Sequence, residues 1–213
     1  METAEVAIVH DEAELFARTG HLFAAATEIS CAAHDLSTWQ AAHPASQPPP
    51  EHRPGMKVRK LYRPGVLLNP SSAQHLAALR AAGADIRITQ DDINETIILD
   101  RRVVILAGDL SAGRRSYTVI SQPDTVAGVA SLFEAAWRGS TALATYDAQL
   151  AELRSLAPRV LELLAAGGKD ESAARTLGLG VRTYRRRVAE LMVALGAESR
   201  FQAGVRAREL GLV

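Results

Sequence analysis

Residues 170–188 read DESAARTLGLGVRTYRRRV, and this stretch decides how the C-terminal third of the chain is interpreted. Its first half predicts a short helix, and Gly178 and Gly180 predict a tight turn. The residues after the turn predict a second helix whose exposed face is rich in arginine. A helix of this kind, set behind a short scaffold helix, is the arrangement that enters the DNA major groove.

The second helix, predicted at residues 181–195, has two different faces. One is an apolar stripe that can pack on the preceding helices, formed by Val181, Tyr184, Val188, Leu191, Met192 and Leu195. On the opposite face, Arg185 and Arg186 stand in the first turns, where a recognition helix reaches base edges. An arginine bonded to guanine contributes about 1–3 kcal/mol of base discrimination. Phosphate contacts are expected from the neighbouring side chains Arg182, Thr183 and Arg187.

The rest of the tail completes a pattern of four helices. They are predicted at residues 158–166, 171–177, 181–195 and 200–210. Asp170 and Ser199 are the predicted N-caps, and Gly196 and Gly211 are the predicted stops. An arginine run that is only a solvated helix face is the simpler alternative, but it does not explain why the turn, the stripe and this pattern occur together.

This tail resembles the LuxR-type helix-turn-helix domain over roughly residues 150–213. The matching segments are LLAAG (163–167), AARTLG (173–178), VRTYRR (181–186), LGA (195–197) and SRFQA (199–203). The resemblance implies that the third helix enters the major groove and that the fourth pairs two subunits. It also implies base contacts at Arg185, Arg186 and Ala189, although Ala189 has no polar atom to offer. Arg200 completes the expected DNA-binding residues, and APRV (157–160) departs from the Thr and Glu capping pattern of the family.

Charge divides the chain into two parts. It carries 24 basic and 24 acidic residues, yet residues 151–213 hold eleven basic and seven acidic ones, a net charge of +4. The remainder therefore carries −4. A basic tail on an acidic body predicts that the tail meets a polyanion and that the body does not.

The residues before the tail alternate between strand and helix patterns. Strands are predicted at 58–62, 65–68, 86–88, 95–99, 103–107 and 116–120, with a short one between 29 and 39. Helices are predicted at 11–33, 69–83 and 125–138, and a proline-rich loop at 42–54. These patterns predict an α/β domain in which helices flank a sheet.

This region resembles the phospholipase-D-like domain of TrmB-type regulators. The resemblance rests on the order of the elements, on IILDRRVVILA (97–107) and on LFEAAW (132–137). Active phospholipase-D-type enzymes carry His-x-Lys, four residues and then Asp, with the His attacking phosphorus and the Lys holding the phosphate oxygens. Counting back from Asp100 puts Glu95 at the lysine position and Ile93 at the histidine position. We therefore expect no catalytic residues here, and a role in dimerisation and effector sensing.

Other kinds of site find little support in the sequence. No metal-ligand spacing occurs among the histidines, so we expect no metal and no cofactor; they are His10, His21, His34, His43, His52 and His75. The one cysteine, Cys31, has no basic neighbour to lower its pKa, which favours burial over a redox role. It also cannot form an internal disulfide. Together with an N-terminus unlike a signal peptide, this favours a cytoplasmic protein.

These features predict three segments: a degenerate phospholipase-D-like domain at 1–140, a linker helix at 141–152 and a DNA-binding domain at 153–213. The expected protein is a homodimeric bacterial transcription regulator, not an enzyme. Its expected partners are double-stranded DNA with an inverted-repeat operator and an unidentified small-molecule effector, but no membrane. Two alternatives stay open: a phosphodiester-acting enzyme with a helical appendage, and an interaction adaptor whose tail binds an acidic protein surface.

Overall fold

The computed structural model describes residues 5–36, 55–92, 94–111 and 114–213. Within these residues eight strands form one mixed sheet, in the order β1-β7-β6-β5-β2-β3-β4-β8. The strands are β1 (Val6–Val9), β2 (Glu28–Ala33), β3 (Lys57–Tyr62), β4 (Asp85–Ile88), β5 (Thr96–Leu99), β6 (Val103–Ser111), β7 (Arg114–Ile120) and β8 (Thr141–Ala142). Strands β2, β3 and β4 run parallel, and the other neighbours pair antiparallel. The loop predicted at 42–54 lies outside the described residues.

The helices of the described residues are α1 (Glu12–Ala25), α2 (Pro70–Ala81), α3 (Pro123–Gly139), α4 (Leu143–Ala165), α5 (Asp170–Thr176), α6 (Val181–Leu195) and α7 (Arg200–Glu209). Side-chain N-caps explain two of the starts. The Asp11 carboxylate accepts a hydrogen bond from the Glu14 N–H at 2.8 Å, which begins α1. The Asn69 side chain accepts from the N–H groups of Ser71 and Ser72, which begins α2.

Different helices pack on the two faces of the sheet. Helix α3 lies on one face and packs Phe133 and Trp137 over Leu61 and Val104. On the other face, α1, α2 and the helices of the tail share one apolar core, in which Leu67 and Leu191 both take part. The tail therefore shares one core with the sheet.

The structure corrects the strand predicted at 65–68, because Pro64–Leu68 forms a 3-10 helix in which every residue is buried. A short apolar run does not distinguish a strand from a buried helical turn, and Pro64 favours the start of a helix. The tail packs closely against this turn at Gly65. A Cβ added at Gly65 would lie only 2.9 Å from the Leu210 side chain and 3.3 Å from the Ala194 carbonyl oxygen. Asn69 Nδ2 also donates to the Leu210 carbonyl at 3.2 Å.

Helix α4 corrects the expectation that a helix begins at Pro158. It is one continuous helix of 23 residues and contains Pro158 in its interior. A single buried face runs along its whole length: Leu143, Leu150, Leu153, Ala157, Val160 and Leu161. An interior proline removes the hydrogen bond that its nitrogen would donate, and its ring crowds the carbonyl four residues back, at a cost of about 3 kcal/mol. The packing of this long buried face outweighs that cost. The division of the chain at 140 and 152 stays a prediction.

Helix α6 has the predicted bounds, and it ends at Gly196 in the left-handed conformation, with φ 65°. The N-cap at Ser199 is also confirmed, since its Oγ accepts from the Gln202 N–H at 3.1 Å. The cap predicted at Asp170 is wrong. Lys169 occupies the N-cap position and Asp170 is the first residue of α5, because its carboxylate binds two arginines instead.

Candidate nucleic-acid interface

A turn of defined geometry sets helix α6 against helix α5. Gly178 is left-handed, with φ 67°, and its N–H donates to the Arg175 carbonyl at 3.1 Å. The N–H of Leu179 donates to the Ala174 carbonyl at 2.8 Å. This pair of bonds is the Schellman motif, which requires a residue that tolerates positive φ, and glycine does so without a Cβ penalty.

Packing decides which face of α6 points outward. The middle of the predicted stripe is buried in the core, namely Tyr184, Val188, Leu191 and Leu195, while Val181 and Met192 are half-buried. Arg182, Arg185, Arg186 and Ala189 are exposed as a result, and Thr183 is half-buried. The side chains of Arg185 and Arg186 are 58% and 63% exposed. The structure thus brings most of the predicted DNA-binding residues to one surface, which we call the arginine face: Arg182, Arg185, Arg186 and Ala189.

Arg185 is linked through a carboxylate to the start of helix α7. Its Nε lies 2.8 Å from Asp170 Oδ2, and Arg200 Nη1 lies 2.9 Å from Asp170 Oδ1. Hydrogen bonds from Arg200 and Arg185 lower the pKa of Asp170, and the bond to Asp170 raises the pKa of Arg200. Arg185 Nη2 also lies 3.3 Å from Glu171 Oε1. The predicted contact residue Arg200 is therefore joined to the arginine face through Asp170.

Arg187 does not lie where the sequence-based expectation put it. Its side chain is only 12% exposed and forms ion pairs with Glu152 of α4 and with Glu190. The hydrogen bond to Glu190, whose Oε2 lies 2.8 Å from Arg187 Nη1, is the largest cause of the raised pKa of Arg187. Arg187 therefore ties α6 to α4 and does not present a free cation to a phosphate.

Sequence reasoning missed the carboxylates that contact these arginines: Glu152, Asp170, Glu171 and Glu190. The pairs within α6 had a signal, since Glu190 follows Arg186 by four residues and Arg187 by three. The pair of Asp170 and Arg185 had no signal in the sequence, because it depends on the angle at which the turn places α6 against α5.

The N-terminal half of α4 flanks the arginine face on one side. Between α4 and α6 lies a groove of about 390 Å³ whose walls include Tyr146, Gln149, Leu150, Arg186, Ala189 and Val193. A ligand on the arginine face therefore meets α4 as well as α6.

Helix α7 presents an apolar surface away from the core. Phe201 is 84% exposed and Val205 is 44% exposed. Together with residues of α4 and the C-terminus they line a groove of about 490 Å³, which includes Leu161, Leu164, Gly204 and Val213. We call this surface the α7 apolar face.

At the hairpin of β5 and β6, the lysine position of phospholipase-D-type enzymes holds Glu95, and the histidine position, Ile93, lies outside the described residues. Glu95 is 5% exposed, and its Oε2 lies 3.0 Å from Arg115 Nη1. Its other oxygen accepts from the His34 N–H at 3.3 Å. A buried carboxylate paired in this way repels phosphate oxygens rather than binding them.

Asp100, the third position of that motif, has a structural role in the turn. Asp100 and Arg101 both have positive φ, 49° and 55°. The Asp100 Oδ1 accepts from the N–H groups of Thr27 and Glu28, each at 2.8 Å. Burial raises the pKa of Asp100, but these bonds, the Thr27 hydroxyl and the charge of Arg102 together lower it. The carboxylate therefore holds the strained turn against the start of β2.

Few other chemical features occur in the described part of the chain. No group of three or more His, Cys, Asp or Glu side chains in it is placed to hold a metal ion. None of its helices has both the length and the apolar character needed to cross a membrane. Cys31 is buried, which raises the pKa of its thiol to about 11 and confirms the predicted burial.

One curated protein resembles this chain over most of its length. It is described as the bialaphos biosynthetic pathway regulatory protein of Streptomyces hygroscopicus, and it is 33% identical over 162 residues. The match covers 75% of this chain and 62% of that protein, so the chain spans less than two thirds of its relative. No family model matches the chain.

Solved structures resemble the fold at low sequence identity. Nuc of Salmonella typhimurium, a phospholipase D family member, has a TM-score of 0.50 and 13% identity over 64% of this chain and 96% of Nuc. The archaeal chromatin protein TrmBL2 has a TM-score of 0.47 and 17% identity over 66% of this chain and 54% of that protein. The likeness to Nuc concerns the fold alone: a mixed sheet with flanking helices, as in phospholipase-D-like proteins.

Proposed function

We propose that this chain is a sequence-specific DNA-binding transcription regulator whose tail, of LuxR type, reads the major groove with helix α6. The observation that carries the proposal is the arginine face, held outward behind the Schellman turn by the buried stripe of α6. The relative in Streptomyces hygroscopicus, which is described as a pathway regulatory protein, supports a regulatory role.

In this proposal Arg185 and Arg186 contact base edges, Arg182 and Thr183 bond phosphates, and Ala189 offers only an apolar contact. Arg200 orients Arg185 through Asp170 as well as adding positive charge. Arg187 has no DNA contact, because it holds α6 to α4.

Selection of genomic fragments with the purified protein, followed by footprinting, tests the proposal. Replacing both readers, Arg185→Ala with Arg186→Ala, removes two base contacts worth about 1–3 kcal/mol each. Preference for the selected site over unrelated duplex DNA should then fall by at least about 30-fold. Arg206→Ala is the matched control, since Arg206 is an exposed arginine of α7 paired with Glu209. A double variant that keeps the wild-type footprint would contradict the assignment of readers, and DNA binding itself separates the proposal from a protein-interaction adaptor.

A phosphodiester-acting enzyme is the second candidate, because the fold resembles that of a phospholipase D family member. The buried pair of Glu95 and Arg115 argues against it. We expect the wild-type protein not to hydrolyse a chromogenic phosphodiester. Hydrolysis by wild type above that of a Glu95→Ala variant would instead support a phosphodiester-acting enzyme.

The proposed assembly is a homodimer in which the α7 apolar face meets a second copy, so that two tails bind an inverted repeat. Phe201→Ser should convert the dimer to a monomer of 22.8 kDa in light-scattering measurements. Leu132→Ser is the control, since Leu132 is 71% exposed on α3, away from that face. A dimer that persists in Phe201→Ser and dissociates in the control would place the interface on the sheet domain.

A further inference from the structure

The two proposed reader arginines are each paired with a carboxylate of the same chain. Arg185 lies within 3.3 Å of Glu171 as well as next to Asp170, and Arg186 Nε lies 3.6 Å from Glu190 Oε1. Glu171 is exposed and Glu190 is half-buried, with 56% of the Glu171 side chain and 40% of the Glu190 side chain open to solvent. Each pair therefore exchanges with solvent ions at little cost, and a DNA phosphate competes for the same guanidinium.

Helix stability accounts for little of the pair between Arg186 and Glu190. Arginine precedes glutamate by four residues in this pair, which is the order that stabilises a helix less. Glu190 Oε1 faces Arg186, on the arginine face, while Oε2 bonds Arg187. Glu171 differs, since it lies in the first turn of α5, where an acidic residue also favours the helix dipole.

Resting on the proposed function, we infer that Glu171 and Glu190 determine specificity by competing with DNA phosphates for Arg185 and Arg186. Binding to arbitrary duplex DNA depends on phosphate contacts alone, so a competing carboxylate weakens it directly. At a cognate site the same arginines gain base contacts that replace the carboxylate. The acidic side chains thus lower non-specific binding more than cognate binding, which widens the specificity ratio.

The test uses the full chain, with glutamine replacing each glutamate so that hydrogen bonding is kept and the charge removed. The variants are Glu171→Gln, Glu190→Gln and the double variant. Glu162→Gln is the matched control, because Glu162 is an exposed glutamate paired with Arg159 at 2.7 Å on α4. Thermal unfolding of each variant shows whether it keeps the fold.

Affinity is measured by fluorescence anisotropy on two duplexes of about 30 base pairs, enough for two half-sites one helical turn apart. One duplex has mixed sequence, and the other carries the site that the wild-type protein enriches from a random library. Because an exposed ion pair contributes up to about 1 kcal/mol, each single variant should bind mixed-sequence DNA about two- to fivefold more tightly. The double variant should gain about tenfold. Affinity for the enriched site should change less than affinity for mixed DNA, and the control should change neither.

The outcomes separate this inference from the function on which it rests. If the glutamine variants change neither affinity, change both equally, or behave like Glu162→Gln, the competition between carboxylates and phosphates is refuted while DNA binding stands. If the wild-type protein enriches no site and binds neither duplex, the proposed function is refuted, and the inference, which rests on it, is refuted as well. The inference is supported if the glutamine variants bind mixed-sequence DNA more tightly than wild type and have a smaller ratio of enriched-site affinity to mixed-DNA affinity.

Discussion

Two arginine clusters of this protein have the same chemistry and different burial. Beneath α3, Arg59 forms two hydrogen bonds with Glu134, at 2.7 and 3.1 Å, and one with Glu28 at 3.0 Å. Its guanidinium carbon lies 5.2 Å from the centre of the Phe133 ring, and its side chain is only 11% exposed. On α6, the reader arginines also have carboxylate partners, but more than half of each side chain stays exposed.

This difference separates a guanidinium that holds the fold from one that is free to change partners. Loss of Arg59 would take the nearest cation from two partly buried carboxylates, leaving Glu134 with Arg101 at 3.4 Å and Glu28 with Lys57 at 3.8 Å. The pairs of Arg185 with Glu171 and of Arg186 with Glu190 are solvated and screened, so they contribute little to stability, and another anion can replace them. Burial, and not the identity of the partners, therefore decides which arginines are available to a ligand.

The largest expected effect is on the buried cluster. Replacing Arg59 by methionine should lower the free energy of unfolding by about 2–4 kcal/mol, because Glu134 and Glu28 lose their nearest cation in a partly buried site. Arg185→Met should lower it by less than about 0.5 kcal/mol. Urea denaturation at neutral pH measures both. Equal losses from the two variants would show that burial does not distinguish the clusters.

A smaller effect is expected from pH. The hydrogen bond from Arg59 is the main cause that lowers the pKa of Glu134 below its ordinary value of 4.5. Its contribution to stability is therefore complete above pH 4.5, and it is lost as the pH falls through the lower folded-state value. We expect wild type to exceed Glu134→Gln by about 1 kcal/mol near neutral pH, with a gap that closes in acid. A gap that widens as the pH falls would mean that the charged carboxylate is not the stabilising form.

The smallest effect is expected from salt on the exposed cluster. A double-mutant cycle of Arg185→Met and Glu171→Gln should give a coupling energy of about 0.5 kcal/mol at low salt, because both side chains are more than half exposed. At about 1 M salt, where the Debye length is near 3 Å, this coupling should approach zero. The corresponding cycle of Arg59→Met and Glu134→Gln should keep most of its coupling. If the exposed coupling resists salt, Glu171 holds Arg185 as firmly as the buried cluster holds Arg59.

Features that depend on local geometry could be predicted from the order of the amino acids. The stripe from Tyr184 to Leu195 repeats at helical spacing, and Gly178 and Gly196 supply the left-handed residues that end two helices, so α6 and its turn were predictable. The hairpin around Asp100 followed in the same way from two apolar runs and a polar turn. The absence of a lysine at Glu95 was likewise visible by counting along the chain.

Which side chains meet across the fold depends on how the helices and the sheet pack. Arg187 looks like its neighbours in sequence, yet it is withdrawn from the surface because α4 continues N-terminal to Pro158 and brings Glu152 beside it. The docking of the tail on Pro64–Leu68 joins segments that lie far apart in the chain. Periodicity records which face of an element is apolar, but not which partner covers it. The pairing of each arginine with its carboxylate is therefore fixed only when the helices pack.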